Sequence, residues 1–203
     1  MDLFTAAEEI DKYRQKCRDS PLNFLARKGQ TYMPWMDQSL SSYEKEGEKI
    51  IVINPTAEGG LPHTRPPNII VIPAHYPPHM LEDTLRHERI HLHQRKYPLQ
   101  WEARAIQDGW VKVKKEQIPS NLLERIRYNP DTILAGFWAW DGVWVPLCLF
   151  LRDDKPHIKE TTLRWYNIQE GITSVVVPSS FIKKYGVLSE SAMEHPFELW
   201  AYK

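Results

Sequence analysis

Two short apolar runs stand out in a largely polar first half. Lys49 to Asn54 carries Ile50-Ile51-Val52-Ile53, and Asn68 to Pro73 carries Ile69-Ile70-Val71-Ile72. Neither alternates apolar with polar positions, so each predicts a strand buried on both faces. Pro55 to Pro67 between them is rich in Gly and Pro and predicts a loop. Pro77-Pro78 then breaks the chain and opens a helix, because proline fits a first helical turn. That helix spans 79–96, with Leu81, Leu85 and Leu92 on one side, His87, His91 and Gln94 on another, and Pro98 as its stop. The strand at 69–73 is expected to border the substrate cleft.

The remaining pattern is mixed. Residues 5–18 place Ala6, Ile10, Tyr13 and Cys17 at helical spacing and predict an amphipathic helix. Residues 19–48 are polar and carry no clear period. Residues 99–116 predict a second helix, weakened by Gly109, and Ser120 is placed to cap a third helix through Tyr128, stopped by Asn129-Pro130. From Gly136 the character changes. Phe137-Trp138-Ala139-Trp140, Asp141-Gly142 and Val143-Trp144-Val145 predict a hairpin, because Asp-Gly suits a type I′ turn. Trp138, Trp140 and Trp144 are expected as core and cross-strand packing. Further strands are expected over Thr161–Asn167 and Thr173–Val177, and a short helix over Pro196–Lys203 with Pro at its first position. The expected fold is α+β in one domain over residues 1–203, with the first ~45 residues a helical extension.

Charge narrows the class. Lys+Arg and Asp+Glu are both 26, which argues against a nucleic-acid binder and against an acidic disordered chain. Eight tryptophans supply apolar area for a core. Cys17 and Cys148 form no CxxC pair, and Cys148, in the run 145–151, is expected as a buried thiol. The N-terminus is acidic without an apolar core, unlike a signal peptide. The longest apolar stretch, near 143–151, falls short of the ~20 residues of a membrane span. The expected address is intracellular and cytoplasmic.

The chemistry lies in His87-Glu88-Arg89-Ile90-His91. Residues four apart on a helix share a face, so two imidazoles can reach one zinc ion at about 2.0–2.1 Å. Glu88, beside the first histidine, is placed as general base toward a water that the metal activates. The bland alternative is a surface helix with scattered histidines. His93 falls on a different side of the helix, and Gln94 returns to the metal side, placed to orient a ligand or to stand as a plain surface residue.

The segment His87 to Gln94 resembles the HExxHxxQ helix of zincin-type metallopeptidases. His195-Pro196-Phe197-Glu198-Leu199-Trp200-Ala201-Tyr202 resembles the [NH]-P-x-E-x-x-A-Y segment of such proteins. The resemblance implies a zincin-like fold, with the HExxH helix on a mixed sheet and further strands after it. It also implies Glu198, as in the glutamate zincins, as third ligand of a Zn2+ ion. Glu190, Glu194 and His195 are rivals for that place, and Tyr128, Arg127, His63 and Tyr202 are unranked candidates to stabilise an oxyanion. Leu61-Pro62-His63-Thr64-Arg65 is placed to line the cleft. The implied activity is zinc-dependent hydrolysis of a peptide or protein substrate. The alternative is a zincin-fold structural or binding protein that keeps zinc with little or no turnover.

Overall fold

The computed structural model describes residues 3–28 and 39–203. Part of the polar stretch 19–48 therefore lies outside the described residues. The N-terminal segment forms α1 (Leu3–Asp11), α2 (Tyr13–Asp19) and α3 (Pro21–Arg27). The single helix expected over 5–18 is broken at Lys12, whose φ is 54°. Side chains of α1 stabilise the break: Asp11 accepts from the Tyr13 N–H at 2.9 Å, and Glu8 accepts from the Arg14 and Gln15 N–H groups. Those N–H groups would otherwise be orphans at the start of α2.

Strands β1 (Ser39–Lys45) and β2 (Glu48–Ile53) follow, then β3 (His63–Arg65) and β4 (Ile69–Pro73). They form a mixed sheet in the order β1-β2-β4-β3, with β2 and β4 parallel and the other pairs antiparallel. The two apolar runs are its centre, buried on both faces as their patterning requires. Ile51, Ile53, Ile69 and Val71 pack against Phe4, Ala7 and Ala57. Ile50, Ile70 and Ile72 pack against Leu85 and Leu92 of α4 (Pro78–Lys96). The expected loop 55–67 thus contains a strand, β3, of three residues. Because β3 forms the edge, β4 lies inside the sheet and is not the border of the cleft.

Next come α5 (Pro98–Asp108), β5 (Trp110–Val113) and α6 (Ser120–Leu123). The helix expected over 99–116 stops at Gly109, whose φ of 104° is a left-handed helix terminator. Trp110–Val113 leaves as a strand. The helix expected through Tyr128 is likewise shorter, and Pro119, not Ser120, occupies its cap position. The backbone beyond it is recruited elsewhere: Arg127 N–H donates to Cys148 O, and Phe150 N–H donates to Arg125 O.

A five-stranded antiparallel sheet runs β5-β6-β7-β8-β9, with β6 (Phe137–Trp140), β7 (Trp144–Phe150), β8 (Thr161–Asn167) and β9 (Ile172–Ser174). Asp141 and Gly142 at the β6–β7 turn both have positive φ, as a type I′ turn demands. The strand expected over Thr173–Val177 lies slightly earlier. The Ser174 hydroxyl takes the Val176 N–H out of the ladder at 2.9 Å. Cys148 is half-buried, not fully buried, and both cysteines are free.

The chain closes with α7 (Ser179–Tyr185), α8 (Glu190–Met193) and α9 (Pro196–Ala201). Phe197, Leu199 and Trp200 join Trp138, Trp140 and Trp165 in one core cluster, which fixes α9 to the second sheet. Helix α4 rests on the first sheet and α9 on the second, and the two helices meet. Among the described residues no helix is long and apolar enough to cross a membrane.

Candidate metal centre

The meeting of α4 and α9 brings three side chains together. His87 Nε2 and His91 Nε2 lie 3.1 Å apart. Glu198 Oε2 is 3.6 Å from the first and 3.4 Å from the second. Tetrahedral coordination with arms of 2.0–2.1 Å has ligand–ligand edges of about 3.3 Å. The three measured separations bracket that edge, so the donors fit one small divalent cation with a coordination position left over. Among the described residues this is the His/Cys/Asp/Glu group with that convergence.

Hydrogen bonding fixes what each donor presents. Gln94 Nε2 donates to the Phe197 carbonyl at 2.8 Å, so the Gln94 amide oxygen faces His91. His91 Nδ1, 2.8 Å from that oxygen, must carry the proton. In the neutral ring, the form that binds a metal, Nε2 is then the lone pair that faces His87 and Glu198. On Glu198, Oε1 accepts from Asn129 Nδ2 at 2.7 Å, which leaves Oε2 facing the imidazoles.

The electrostatics ask for positive charge. Burial works against the charged imidazole of His91, but the Glu198 and Asp131 carboxylates outweigh it and hold the ring up to about 10. Burial would likewise raise Glu198, yet His91 and His87 hold its carboxyl well below the usual range. Glu88 is pushed well above its ordinary value, first by burial and then by Asp131, with Glu198 adding to the rise and His91 opposing it. A divalent cation at the three donors acts on Glu88 in the opposite sense to those two carboxylates.

Glu88 is buried, lines the adjoining cleft of about 670 Å³, and leaves Oε2 without a hydrogen-bond partner. The cleft is bounded by α4 on one side, by Leu61, Pro62 and His63 on another, and by Arg127 to Asp131 and α9 on the rest. The expected lining by 61–65 therefore holds for its first three residues.

The rival ligands have other work. His195 caps α9: its Nδ1 accepts from the Phe197 N–H at 3.1 Å, and its Nε2–H donates to Gly136 O at 3.2 Å. Both ring nitrogens are used, and burial presses the imidazole down to about 4. Glu194 is bound by Arg127 at 2.6 Å and by Asn129 at 2.8 Å, and Glu190 accepts from the Leu163 N–H. His93 accepts from the Trp101 indole, away from the site. All four oxyanion candidates, Tyr128, Arg127, His63 and Tyr202, line the cleft. His63 spends its Nδ1–H on Leu61 O and so offers an acceptor there, not a donor. Tyr202 stands with its ring 4.5 Å from His87.

Asn129 is the site residue that sequence reasoning missed. Asn129-Pro130 reads as a helix stop, and only the fold places its amide against Glu198. No family model, no curated protein and no solved structure among those compared with this chain matches it.

Proposed function

We propose that this chain is a zinc-dependent peptidase of zincin-like arrangement, with His87, His91 and Glu198 as metal ligands and Glu88 as general base. The observation that carries the reading is the triangle of donors at tetrahedral-edge distances, with a buried and unpartnered carboxylate oxygen of Glu88 beside the same cleft. A structural site has no use for such a base and closes its fourth position with protein. Zinc bound there supplies a Lewis acid and lowers the pKa of a water toward ~7. Glu88 takes the proton of the attacking water and hands it to the departing amine. Gln94 holds His91 in the tautomer that leaves Nε2 free. Tyr202, whose ring centroid lies 4.5 Å from that of His87, is the proposed donor for the developing oxyanion. Burial, aided by Glu198, Glu194 and Glu88, pushes its phenol up to about 12, so it keeps its proton.

The test is elemental analysis of metal-free protein after zinc titration, followed by cleavage of a mixed peptide library read by mass spectrometry. About one zinc per chain and discrete cleavage products are expected. Glu88→Gln should keep zinc while losing at least ~10²-fold in turnover. Zinc without cleavage in both proteins would instead mark a binding protein. The same turnover in wild type and Glu88→Gln would overturn the assigned base.

A further inference from the structure

Glu198 presents its two oxygens to different partners. Oε2 lies 3.4 and 3.6 Å from the two imidazole nitrogens, whereas Oε1 lies 2.7 Å from Asn129 Nδ2. An amide that donates to one carboxylate oxygen competes with any cation for that oxygen's electrons. The geometry points to Asn129 as a positioning residue that confines Glu198 to coordination through one oxygen and so preserves the open place for water and substrate. This inference rests on the metal-centre reading above.

Asn129 is itself fixed by its surroundings. Its Oδ1 accepts from the Asp131 N–H at 2.9 Å, which settles which end of the amide faces Glu198. The same NH2 also reaches Glu194 Oε1 at 2.8 Å, and Glu194 in turn is held by Arg127. The backbone on either side is anchored as well. Tyr128 N–H donates to Asn23 Oδ1, Tyr128 O accepts from Arg27, and Asp131 Oδ1 accepts from the Thr64 N–H and hydroxyl at 2.6 Å each. α3, β3 and α8 thus converge on one short segment, whose product at the site is a single oriented N–H on Glu198. With that N–H removed, nothing else described bonds Oε1, and a carboxylate with both oxygens free can close on a cation bidentately. That would fill the coordination place which hydrolysis needs.

Cobalt(II) substitution gives a readout other than turnover, because the intensity of its visible bands falls as coordination number rises. Wild type loaded with cobalt should give strong, four-coordinate-type bands. Asn129→Ala should give weaker bands, and its zinc affinity should fall roughly 10–100-fold, as for other residues that support ligands. Asn129→Asp keeps the size and the acceptor for Asp131 but removes the donor, so it should shift the cobalt bands in the same direction. Circular dichroism in chelator establishes that each variant is folded. A second measurement needs no variant at all: the zinc-minus-apo infrared spectrum of wild type should show the wide carboxylate splitting of one-oxygen coordination. Wild-type cobalt bands in a folded variant, or a narrow bidentate splitting in wild type, would overturn the role of Asn129. Failure of the wild-type protein to take up zinc or cobalt would overturn the metal centre itself.

Discussion

At the residue scale, His195 shows how a histidine beside the candidate metal centre is engaged elsewhere. Its ring closes the first turn of α9 and ties that turn to Gly136, so both nitrogens are spent. The same engagement makes it a source of acid lability. Its folded value of about 4 lies below the ~6.5 of an unfolded histidine. As pH falls through 6.5 the unfolded chain takes up a proton that the folded chain refuses. Stability is therefore complete above about 6.5, lost progressively down to about 4, and unaffected by this group below that. Urea unfolding in chelator should show wild type losing ~3 kcal/mol more than His195→Asn across this window, since Asn also caps helices but does not titrate. Equal losses in the two proteins would show that His195 is not neutral in the fold.

At the element scale, the contact between α4 and α9 passes through Gln94, which serves both helices with one amide. Gln94→Glu still accepts from His91 Nδ1–H but cannot donate to Phe197 O. It should therefore keep zinc affinity near wild type in a competition titration while costing about 1–3 kcal/mol in unfolding. Gln94→Leu should lose both. The elements that carry the site were legible because local signals define them: the proline-led starts of α4 and α9, and the i, i+4 histidines. β2 and β4 were legible as unbroken apolar runs. Other elements were not. β1 is Ser- and Glu-containing and exposed along most of its length, so no apolar period marks it. β3 is too short to show one. The 99–116 segment was misread because Gly109 acts as a stop and not as a weak spot. The role of Asn129 depends on a partner far away in the chain, and no local pattern records that.

At the scale of the whole molecule, the site is a seam between two sheets, one under α4 and one under α9. The N-terminal helices belong to the packing as well. Arg65 is bound to Asp11 at 2.7 Å and Arg27 to Glu58 at 3.0 Å, with all four residues buried. Arg27 also reaches Tyr128 O, beside Asn129, so the N-terminal helices buttress the wall of the cleft. The seam has a consequence for the order of folding. His87 and His91 lie on α4, far along the chain from Glu198, and α9 packs on the five-stranded sheet. Contacts of such long range cost loop-closure entropy before they contribute, and a contact absent at the folding barrier acts on the unfolding rate alone. A cation held across the seam should therefore act as a latch and not as a nucleus. In stopped-flow experiments, saturating zinc should slow unfolding in proportion to the stability that it adds, and leave the refolding rate close to that in chelator. A refolding rate that climbs with zinc concentration would mean instead that the two halves of the site find each other before the second sheet is built.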